Sequence, residues 1–262
     1  MSPTNRDFVN SLARGLEVIR AFSRARPRMT LSEISQATNM TRATVRRFLL
    51  TLVRDGYADS DGKYFSLAPK ILELGYAALS SMTFLDDMQP ILVELAKTLR
   101  ESCFAAVLED HDVVYVASAA PPSRIVNISV SVGSRAPAHS VSTGRVLVAA
   151  LPDAERKAWI ESAELSKLTP NTVTSRKELQ KLINETAKQG FSIVDQELEV
   201  GLRSIAVPIR DNDGNVLAAL NVACPSTRIS PEDMRDEILK KMLVASEEIT
   251  RRLKINRPAA PN

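Results

Sequence analysis

The stretch TRATVRRFLLTLVRDG, residues 41–56, places four arginines among apolar residues. Drawn as a helix, it puts Val45, Phe48, Leu49 and Leu52 on one face. The opposite face then carries Ala43, Arg46, Arg47 and Arg54. Guanidinium groups on an exposed helix face pair with phosphate, or bidentately with O6 and N7 of guanine. The pattern predicts a DNA-binding helix, and the alternative is a surface helix whose arginines are only solvated.

Two predicted helices precede this one along the chain. The first begins near Ser11 and ends before Pro27. In the second, TLSEISQAT, Thr30 and Glu33 have the spacing of a capping box. Asn39 follows, and this residue type tolerates a left-handed turn. The sequence therefore predicts a helix, then a second helix, a turn and the arginine-bearing helix.

A hairpin is predicted next, over YADSDGKYFSL, residues 57–67. The pair Asp61-Gly62 is the signal of a type I′ turn, and Tyr64 and Phe65 favour a strand. Three helices followed by a two-stranded ribbon are typical of a winged helix-turn-helix, whose last helix enters the major groove while the wing contacts phosphates. The candidate DNA-binding residues are Thr41, Arg42, Ala43, Thr44, Arg46, Arg47 and Lys63.

Composition and charge indicate two domains with different surfaces. The chain has 262 residues, 44% of them hydrophobic, and a formal net charge of +3. Residues 1–75 hold 12 basic and 7 acidic residues, a net charge of +5, and the remaining 22 basic and 24 acidic residues give −2. A basic front on a nearly neutral body fits a nucleic-acid-binding module joined to another domain.

Several features argue against a secreted or membrane protein. Cys103 and Cys224 are the only cysteines, and neither lies in a metal-ligand pattern. The N-terminal MSPTNRDFVN lacks the apolar core of a signal peptide, and no apolar run reaches the ~18 residues of a membrane span. We expect a soluble protein of the reducing cytoplasm, with no disulfide bond.

The rest of the chain predicts an α+β body. From Pro69 to Met82 an apolar stripe predicts a linker helix, which packs either against a second copy of the chain or against its own body. Strands are predicted in CFAAVLEDHDVVYVASA, RIVNISVSVG, FSIVDQEL and IAVPIRDNDGNVLAALNVACP. Helices are predicted over residues 142–151, 175–190 and 230–253. An antiparallel sheet flanked by helices accommodates these elements.

Catalytic reagents are scarce in this body. His111 and His139 are the only histidines, and the GxSxG pattern of a hydrolase nucleophile is absent. No glycine-rich phosphate loop occurs, so no nucleotide cofactor is predicted. Cys224 lies in an apolar strand, where an inert core thiol is the favoured interpretation. We expect neither an enzyme nor a cofactor or metal ion.

A binding site for a small organic acid is easier to build. The loop GSRAPAHSVSTGR leads into a helix, and the N–H groups at a helix start attract a carboxylate. Arg135 lies in this loop, Arg124 begins the preceding strand and Arg203 begins a later one. We expect Arg135 or Arg124 to pair with the carboxylate. For Arg203 a structural ion pair is favoured.

These segments, in this order, resemble the IclR family of bacterial transcriptional regulators from about Ser11 to Leu253. The resemblance is carried by SLARGLEVIRAF, LSEISQATNMTRATVRRFLLTLVRDGYADSDGKYFSL, VGSRAPAHSVSTGRVLVAAL, KQGFSIVDQELEVGLRSIAVPIRDNDGNVLAALNVACP and the final helix. It implies a winged helix-turn-helix at 8–68, a linker helix at 69–84, a GAF-like effector-binding domain at 85–254 and a disordered tail at 255–262. It also implies a homodimer or a dimer of dimers on operator DNA.

The resemblance further implies the residues of an effector pocket. These are Ile125, Ala136, Ser142, Thr143, Val194, Ser204, Asn221 and Ala223. Arg124 and Arg135 are added to them as candidates for the carboxylate. Val194 and Ala223 stand where family members that bind small keto acids have polar residues, which favours a more apolar or larger ligand. The run SRIVNISVSVGSRAPAHSVSTGRVLVAAL is most similar to the branch controlling aromatic-acid catabolism through the β-ketoadipate pathway.

Two alternatives stay open at the level of the sequence. One is an enzyme that acts on a small acid, with the basic N-terminal region serving another purpose. The other is a DNA-binding regulator that no longer responds to a ligand. The sequence leaves undecided whether transcription is activated or repressed.

Overall fold

A computed structural model of the chain describes residues 8–23, 25–121 and 130–256. The chain divides into two compact units, Met1–Ser81 and Met82–Asn262. The elements of the first unit are α1 (Asn10–Arg20), β1 (Arg28–Thr30), α2 (Leu31–Ala37), α3 (Arg42–Arg54), β2 (Ala58–Ser60), β3 (Tyr64–Leu67) and, after a 3-10 turn at Pro69–Ile71, α4 (Leu72–Ser81).

Helices α1, α2 and α3 enclose a small apolar core in the first unit. Its buried members are Val18, Met29, Ile34, Met40, Val45 and Leu49. The predicted capping box is confirmed, because Glu33 N donates to the Thr30 hydroxyl at 3.3 Å and Thr30 N donates to the Glu33 carboxylate at 2.7 Å. Asn39 adopts the left-handed conformation, with φ 51°. The helix-turn-helix geometry is thus built from short local signals.

The wing differs from its predicted form in two respects. Of the two turn residues only Gly62 has a positive φ, 92°, so the turn is not type I′. Instead the Asp61 carboxylate accepts from the N–H groups of Lys63 and Tyr64, at 3.0 and 2.7 Å. A third strand, β1, which the sequence did not reveal, pairs with β3 and gives the order β1-β3-β2. The extra strand ties the wing to the start of α2.

The second unit is a single sheet with helices around it. Its helices are α5 (Phe84–Leu99), α6 (Ser142–Ala149), α7 (Asp153–Ser162), α8 (Arg176–Gln189), α9 (Pro231–Asp233) and α10 (Leu239–Asn256), the last two joined by a π-helical turn at Met234–Ile238. Its strands are β4 (Ser102–Glu109), β5 (Asp112–Ala119), β6 (Arg135–Pro137), β7 (Ser192–Asp195), β8 (Leu202–Arg210) and β9 (Val216–Pro225). A 3-10 turn at Ala138–Ser140 precedes α6.

The sheet confirms the predicted α+β class. Its six strands are all antiparallel, in the order β6-β5-β4-β9-β8-β7. One face packs on α6, α7 and α8 through a core that includes Phe104, Val148, Trp159 and Ile183. Because side chains alternate along a strand, Ile205, Val207, Leu220 and Val222 lie on the other face. This layering leaves the α6 side of the sheet as the place where a site is built.

Two elements depart from the sequence expectation. Helix α7 was not predicted, and the strand expected over RIVNISVSVG lies mostly outside the described residues. A short strand, β6, is found immediately after it instead. Among the described residues no helix has the length and apolar character needed to cross a membrane.

The start of α6 is held against the preceding turn by the absence of a side chain at Gly144. A Cβ atom placed there would lie 2.0 Å from the carbonyl oxygen of Ala138 and 2.4 Å from its Cα. Both clashing atoms are backbone, so no rotamer change relieves the contact. Gly144 therefore sets how closely α6 approaches the 3-10 turn.

We predict that Gly144→Ala lowers the free energy of unfolding by about 1–3 kcal/mol or more, because the methyl group forces α6 away from Ala138. Chemical denaturation measures the change. Gly75→Ala is the matched control, since nothing lies within 4 Å of its Cβ position in α4. There alanine adds helix propensity and stabilises slightly. Equal effects at the two positions would contradict this account of α6.

Candidate functional site

The two faces of α3 separate the core from solvent as the sequence predicts. Val45 and Leu49 are fully buried in the first unit. Thr41, Arg42, Ala43, Arg46 and Arg47 are exposed, and Thr44 is partly buried. The two threonines also form the cap, because Thr44 N donates to the Thr41 hydroxyl at 3.3 Å and the two hydroxyl oxygens lie 2.9 Å apart. The cap presents the arginines at the start of a rigid helix.

The arginines of α3 differ in what they contact. Within the part of the chain that the structure describes, Arg42, Arg46 and Arg47 form no ion pair, whereas Arg54 pairs with Asp55 at 2.9 Å. An exposed guanidinium with no acidic neighbour keeps all its donors available for phosphate or base edges. Arg42, Arg46 and Arg47 have this property, and Arg54 does not.

The wing tip carries a second positive charge. Lys63 is exposed, and its ammonium lies 5.1 Å from the centre of the Tyr64 ring. Arg28 approaches the same ring at 5.2 Å and also pairs with Asp61. The Arg28 charge is thereby partly neutralised, whereas the Lys63 ammonium forms no ion pair with the described residues. Lys63 is therefore the wing cation with the most freedom to meet a phosphate.

A small cavity lies in the second unit between the sheet, the start of α6 and the loop before β8. We call it the effector cavity, and its lining is Phe104, Tyr115, Val130, Ser140, Val141, Val194, Leu198, Leu202, Ser204, Asn221 and Ala223. The strand register explains the floor, since Val194 pairs with Ser204 and Ser204 pairs with Ala223. Directly opposite residues project to the same side of a sheet, so these three side chains face α6 together.

A chain of hydrogen bonds connects α6 to this floor. The Asn221 amide donates to the Ser142 hydroxyl at 2.9 Å and to the Ile205 carbonyl at 3.0 Å. The Ser142 hydroxyl in turn donates to the Ser204 hydroxyl at 2.9 Å. Each hydroxyl carries one proton, and Ser204 accepts from Ser142, so the Ser204 proton is not used in this series of hydrogen bonds. Ser204 lines the cavity and can donate to an acceptor there.

The other walls of the cavity are aromatic and aliphatic. The rings of Phe104 and Tyr115 meet edge to face, with centres 5.8 Å apart. Burial raises the pKa of the Tyr115 hydroxyl, and the nearby Thr143 hydroxyl partly offsets this rise. Thr143 is fully buried, and its hydroxyl has no hydrogen bond of normal geometry to the described residues. Tyr115 thus stays neutral at physiological pH.

The cavity is nearly closed. Its volume is about 30 Å³, which holds a water molecule but not an aromatic ring. A larger ligand must displace side chains of the lining. Leu198 and Leu202 belong to a loop at Gln196–Leu202 that closes on itself, with Gln196 N donating to Leu202 O at 2.8 Å and Gly201 N to the Gln196 side chain at 3.0 Å.

That loop is anchored to α6 by a buried ion pair. Arg145 and Glu197 are both more than nine-tenths buried, and one guanidinium nitrogen donates to both carboxylate oxygens, at 2.8 and 2.7 Å. The carboxylate also accepts from Val173 N at 3.0 Å. The Thr169 and Thr172 hydroxyls hold the backbone of the loop, donating to the Gln196 and Glu197 carbonyls at 2.7 Å each. The loop and α6 therefore move as one piece.

Four of the ten expected effector residues line this cavity directly. Val194, Ser204, Asn221 and Ala223 are in the lining, with Ser142 bonded to two of them. Ala136 is buried in the core of the sheet. Arg124 and Ile125 lie outside the described residues. The sequence analysis missed Phe104 and Tyr115. The alternation of side chains along the predicted strands could have placed both on the same face of the sheet as the other lining residues.

The structure places two of the arginines away from the cavity. Arg135 is partly exposed at the surface and pairs with Glu109 and, at 3.0 Å, with Asp112. It is not part of the lining of the effector cavity, and the pairing of Arg135 or Arg124 with a ligand carboxylate stays a prediction. Arg203 binds both carboxylate oxygens of Asp195 at 2.8 and 2.9 Å and the Ser226 carbonyl at 3.0 Å. It is the structural ion pair that the sequence favoured.

The histidines do not form a hydrolytic site. His139 is buried, its Nε2 lies 3.1 Å from the Ser166 carbonyl, and burial lowers its pKa. His111 lies beside Trp159 and reaches the Ser162 hydroxyl only at 3.4 Å. Among the described residues no cluster of three His, Cys, Asp or Glu side chains has the arrangement of a metal site.

Comparisons with known proteins agree with this architecture. The family model described as the IclR helix-turn-helix domain matches residues 11–62, and the model described as the bacterial transcriptional regulator IclR C-terminal matches residues 76–251. The chain belongs to the IclR family. It is therefore a DNA-binding regulator rather than an enzyme, which confirms the resemblance.

Relatives of this IclR chain are regulators as well. The Pca regulon regulatory protein of Pseudomonas putida is 42% identical over 247 residues, which cover 94% of this chain and 85% of that protein. A transcriptional regulator from Rhodococcus sp. RHA1 is 43% identical, with a TM-score of 0.84 and coverage of 95% and 100%. The inducer-binding domain of an Acinetobacter PobR double mutant, in complex with 3-hydroxybenzoic acid, is 30% identical, with a TM-score of 0.59 and coverage of 62% and 94%.

We predict that Arg145→Met alone lowers the free energy of unfolding by about 3–5 kcal/mol, because it leaves the Glu197 carboxylate buried without its partner. Arg145→Met combined with Glu197→Leu removes both charges and is expected to cost less than either single substitution. Thermal and chemical denaturation of the three variants measure the coupling. Additive losses would show that the pair is not coupled in this way.

Proposed function

We propose that this IclR-family chain controls genes for the catabolism of aromatic acids through the β-ketoadipate pathway, and that a small aromatic or dicarboxylic acid is its effector. The observation that carries the proposal is the effector cavity, where an unused hydroxyl proton of Ser204 faces walls formed by Phe104 and Tyr115. A carboxylate on an apolar body is complementary to such a lining.

The carboxylate is recognised by hydroxyl and amide groups rather than by an arginine of the described residues. Asn221 orients Ser142, and Ser142 orients Ser204, so that the last proton of the chain is directed toward the ligand. The positive end of the α6 dipole lies at Ser142 and adds to the attraction. Arg124, outside the described residues, remains a proposed second contact.

The apolar walls and the relatives point to the class of effector. Val194 and Ala223 keep the floor apolar beside the hydroxyl of Ser204. A Pca regulon regulator and a domain bound to 3-hydroxybenzoic acid are among the similar proteins. We extend this class of ligand, and the β-ketoadipate branch, to the present chain.

The first unit supplies operator recognition in this proposal. The start of α3 is inserted in the major groove and the wing tip follows the phosphate backbone. The proposed contacts are Thr41, Arg42, Ala43, Thr44, Arg46, Arg47 and Lys63, of which Arg42, Arg46 and Arg47 are exposed without acidic partners among the described residues. Because operator DNA lies in the cytoplasm, we propose a cytoplasmic protein.

The proposed domain limits are those given above, 8–68, 69–84, 85–254 and a tail at 255–262. We also propose a homodimer or a dimer of dimers. Helix α4 supports it, because Leu72 and Tyr76 are each 71% exposed and Leu74 is 52% exposed. Large apolar side chains on one short helix are typical of a surface that a second copy covers.

The small cavity volume, about 30 Å³, favours one alternative, a regulator that does not respond to a ligand. Thermal unfolding with 4-hydroxybenzoate, protocatechuate and β-ketoadipate separates the two cases. A ligand that binds only the folded state raises the melting temperature, and the rise grows with the logarithm of its concentration relative to Kd. A rise with at least one acid supports the responsive regulator, and no rise with any acid supports the alternative.

We predict that Arg46→Ala combined with Arg47→Ala weakens binding to the DNA upstream of the protein's own gene by at least about tenfold. Loss of phosphate contacts also reduces the dependence on salt, by about one unit of the log–log slope for each lost contact. Gel-shift titrations at two salt concentrations measure both quantities.

Arg54→Ala is the control for this experiment, because Arg54 lies on the same helix but is paired with Asp55. We expect it to leave operator affinity within about twofold of the unsubstituted protein, since Asp55 already neutralises its charge. An Arg46/Arg47 variant that binds as tightly as the Arg54 variant would remove α3 from the interface.

We predict that Ser204→Ala weakens binding of the acid that stabilises the protein by about 3- to 10-fold, because one hydrogen bond to the carboxylate is lost. Arg135→Ala is expected to leave the affinity within about twofold, because Arg135 is engaged with Glu109 and Asp112. Isothermal titration calorimetry compares the two variants. A larger loss of affinity in Arg135→Ala than in Ser204→Ala would show that Arg135, not Ser204, binds the carboxylate.

A further inference from the structure

The hydroxyl of Ser102, beside the effector cavity, has no hydrogen-bond partner among the described residues. Ser102 is the first residue of β4 and is only 2% exposed. Its Oγ makes no hydrogen bond to any described residue. A buried hydroxyl without a partner costs folding free energy, so native proteins keep few of them and each calls for a specific reason.

The strand register places Ser102 on the cavity side of the sheet. Ser102 pairs with Ala223, Ala223 pairs with Ser204, and Ser204 pairs with Val194. Three members of this row line the cavity. Directly opposite residues share one face, so Ser102 projects to the same side. It lies at the end of the row, just beyond the lining of the closed cavity.

Along this row of paired residues, the hydroxyls of Ser102 and Ser204 lie on either side of the methyl group of Ala223. Ser102 and Ser204 stand on strands separated by one strand, which puts their backbones roughly 10 Å apart. Ala223, between them, projects only a methyl group. A ligand lying over Ala223 therefore meets a hydroxyl at both ends.

Growth of the cavity toward Ser102 gains a polar contact. A ring does not fit the present volume of about 30 Å³ and must displace side chains. A displacement toward Ser102 gives a buried unpaired hydroxyl its missing partner.

We propose that Ser102 is a specificity-determining contact of the effector, binding a second polar group at the end opposite the carboxylate held by Ser204. The inference rests on the proposed function of the cavity. The hydroxyl is both donor and acceptor, so the second group is a ring hydroxyl, a keto oxygen or a second carboxylate. Acids with a single polar end gain nothing from Ser102.

A buried serine with a structural role has a different environment. The Ser246 hydroxyl donates to the Pro208 carbonyl at 2.6 Å, and the Ser140 hydroxyl donates to the Pro137 carbonyl at 3.0 Å. Both hydroxyls are paired within the protein, so their removal costs stability. Removal of the Ser102 hydroxyl deletes an unpaired group, so the ligand-free protein loses nothing.

The experiment compares Ser102→Ala with the control Ser246→Ala in the full-length protein. Calorimetry measures binding of two matched ligand pairs, 4-hydroxybenzoate with benzoate and adipate with hexanoate, in which one member lacks the second polar group. We expect Ser102→Ala to weaken the doubly polar acid that binds by about 3- to 10-fold and to leave its singly polar partner within about twofold.

Thermal unfolding without ligand tests for a structural role, because loss of a structural hydrogen bond would lower the melting temperature. We expect Ser102→Ala to melt at or above the temperature of the unsubstituted protein and Ser246→Ala to melt lower. A lower melting temperature for Ser102→Ala, or equal loss of both members of a ligand pair, overturns the assignment.

The failure of the inference and the failure of the proposed function are distinguishable. If the unsubstituted protein binds none of the acids tested, the proposed effector class fails and the assignment of Ser102 falls with it. If the unsubstituted protein binds a doubly polar acid and Ser102→Ala binds it equally well, only the assignment of Ser102 is overturned.

Discussion

A polar group removed from water must find a partner, and this constraint organises the second unit around α6. Asn221, Ser142 and Ser204 are joined by a directed series of hydrogen bonds, and Arg145 forms an ion pair with Glu197 one helical turn away. Both sets connect α6 to strands or loops that are distant in sequence. Breaking either set would leave a buried polar group without its partner. For this reason α6, the floor of the sheet and the Gln196–Leu202 loop keep fixed relative positions.

At the DNA-binding surface the polar groups stay in water and are not paired within the protein. Val45 and Leu49 anchor α3 from below, so its outer face has no apolar contacts to make. Arg42, Arg46 and Arg47 keep their hydrogen-bond donors free of acidic neighbours among the described residues. Water satisfies them in the free protein, and phosphate oxygens satisfy them on an operator with release of counterions. Rigidity comes from the apolar side and recognition from the charged side of one helix.

Local sequence signals predicted the parts of the fold that local interactions determine. The capping box at Thr30, the left-handed Asn39 and the β8–β9 pair follow from residues close together in the chain. The β1 strand was missed because its three residues gain their structure only by pairing with β3. The turn at Gly62 was assigned to the wrong type because an Asp61 side chain, not a second left-handed residue, closes it.

The site was predictable to a smaller extent, because charge type says nothing about the partner that a fold supplies. Arg135 has the right chemistry for a carboxylate, yet Glu109 and Asp112 come within reach only when β4, β5 and β6 assemble. The unpaired hydroxyl of Ser102 is likewise a property of register, not of sequence. By contrast Val194, Ser204, Asn221 and Ala223 were found through the family resemblance and do line one cavity.

Regulation requires that the effector favour one arrangement of the DNA-reading helices over another, so the two affinities are linked. The most direct measurement is a fluorescence-anisotropy titration of labelled DNA from upstream of the protein's own gene, with and without a saturating acid of the panel. The account predicts that at least one acid shifts operator affinity by about fivefold or more, the lower end of typical coupling. Binding of an acid with no change in operator affinity would contradict it.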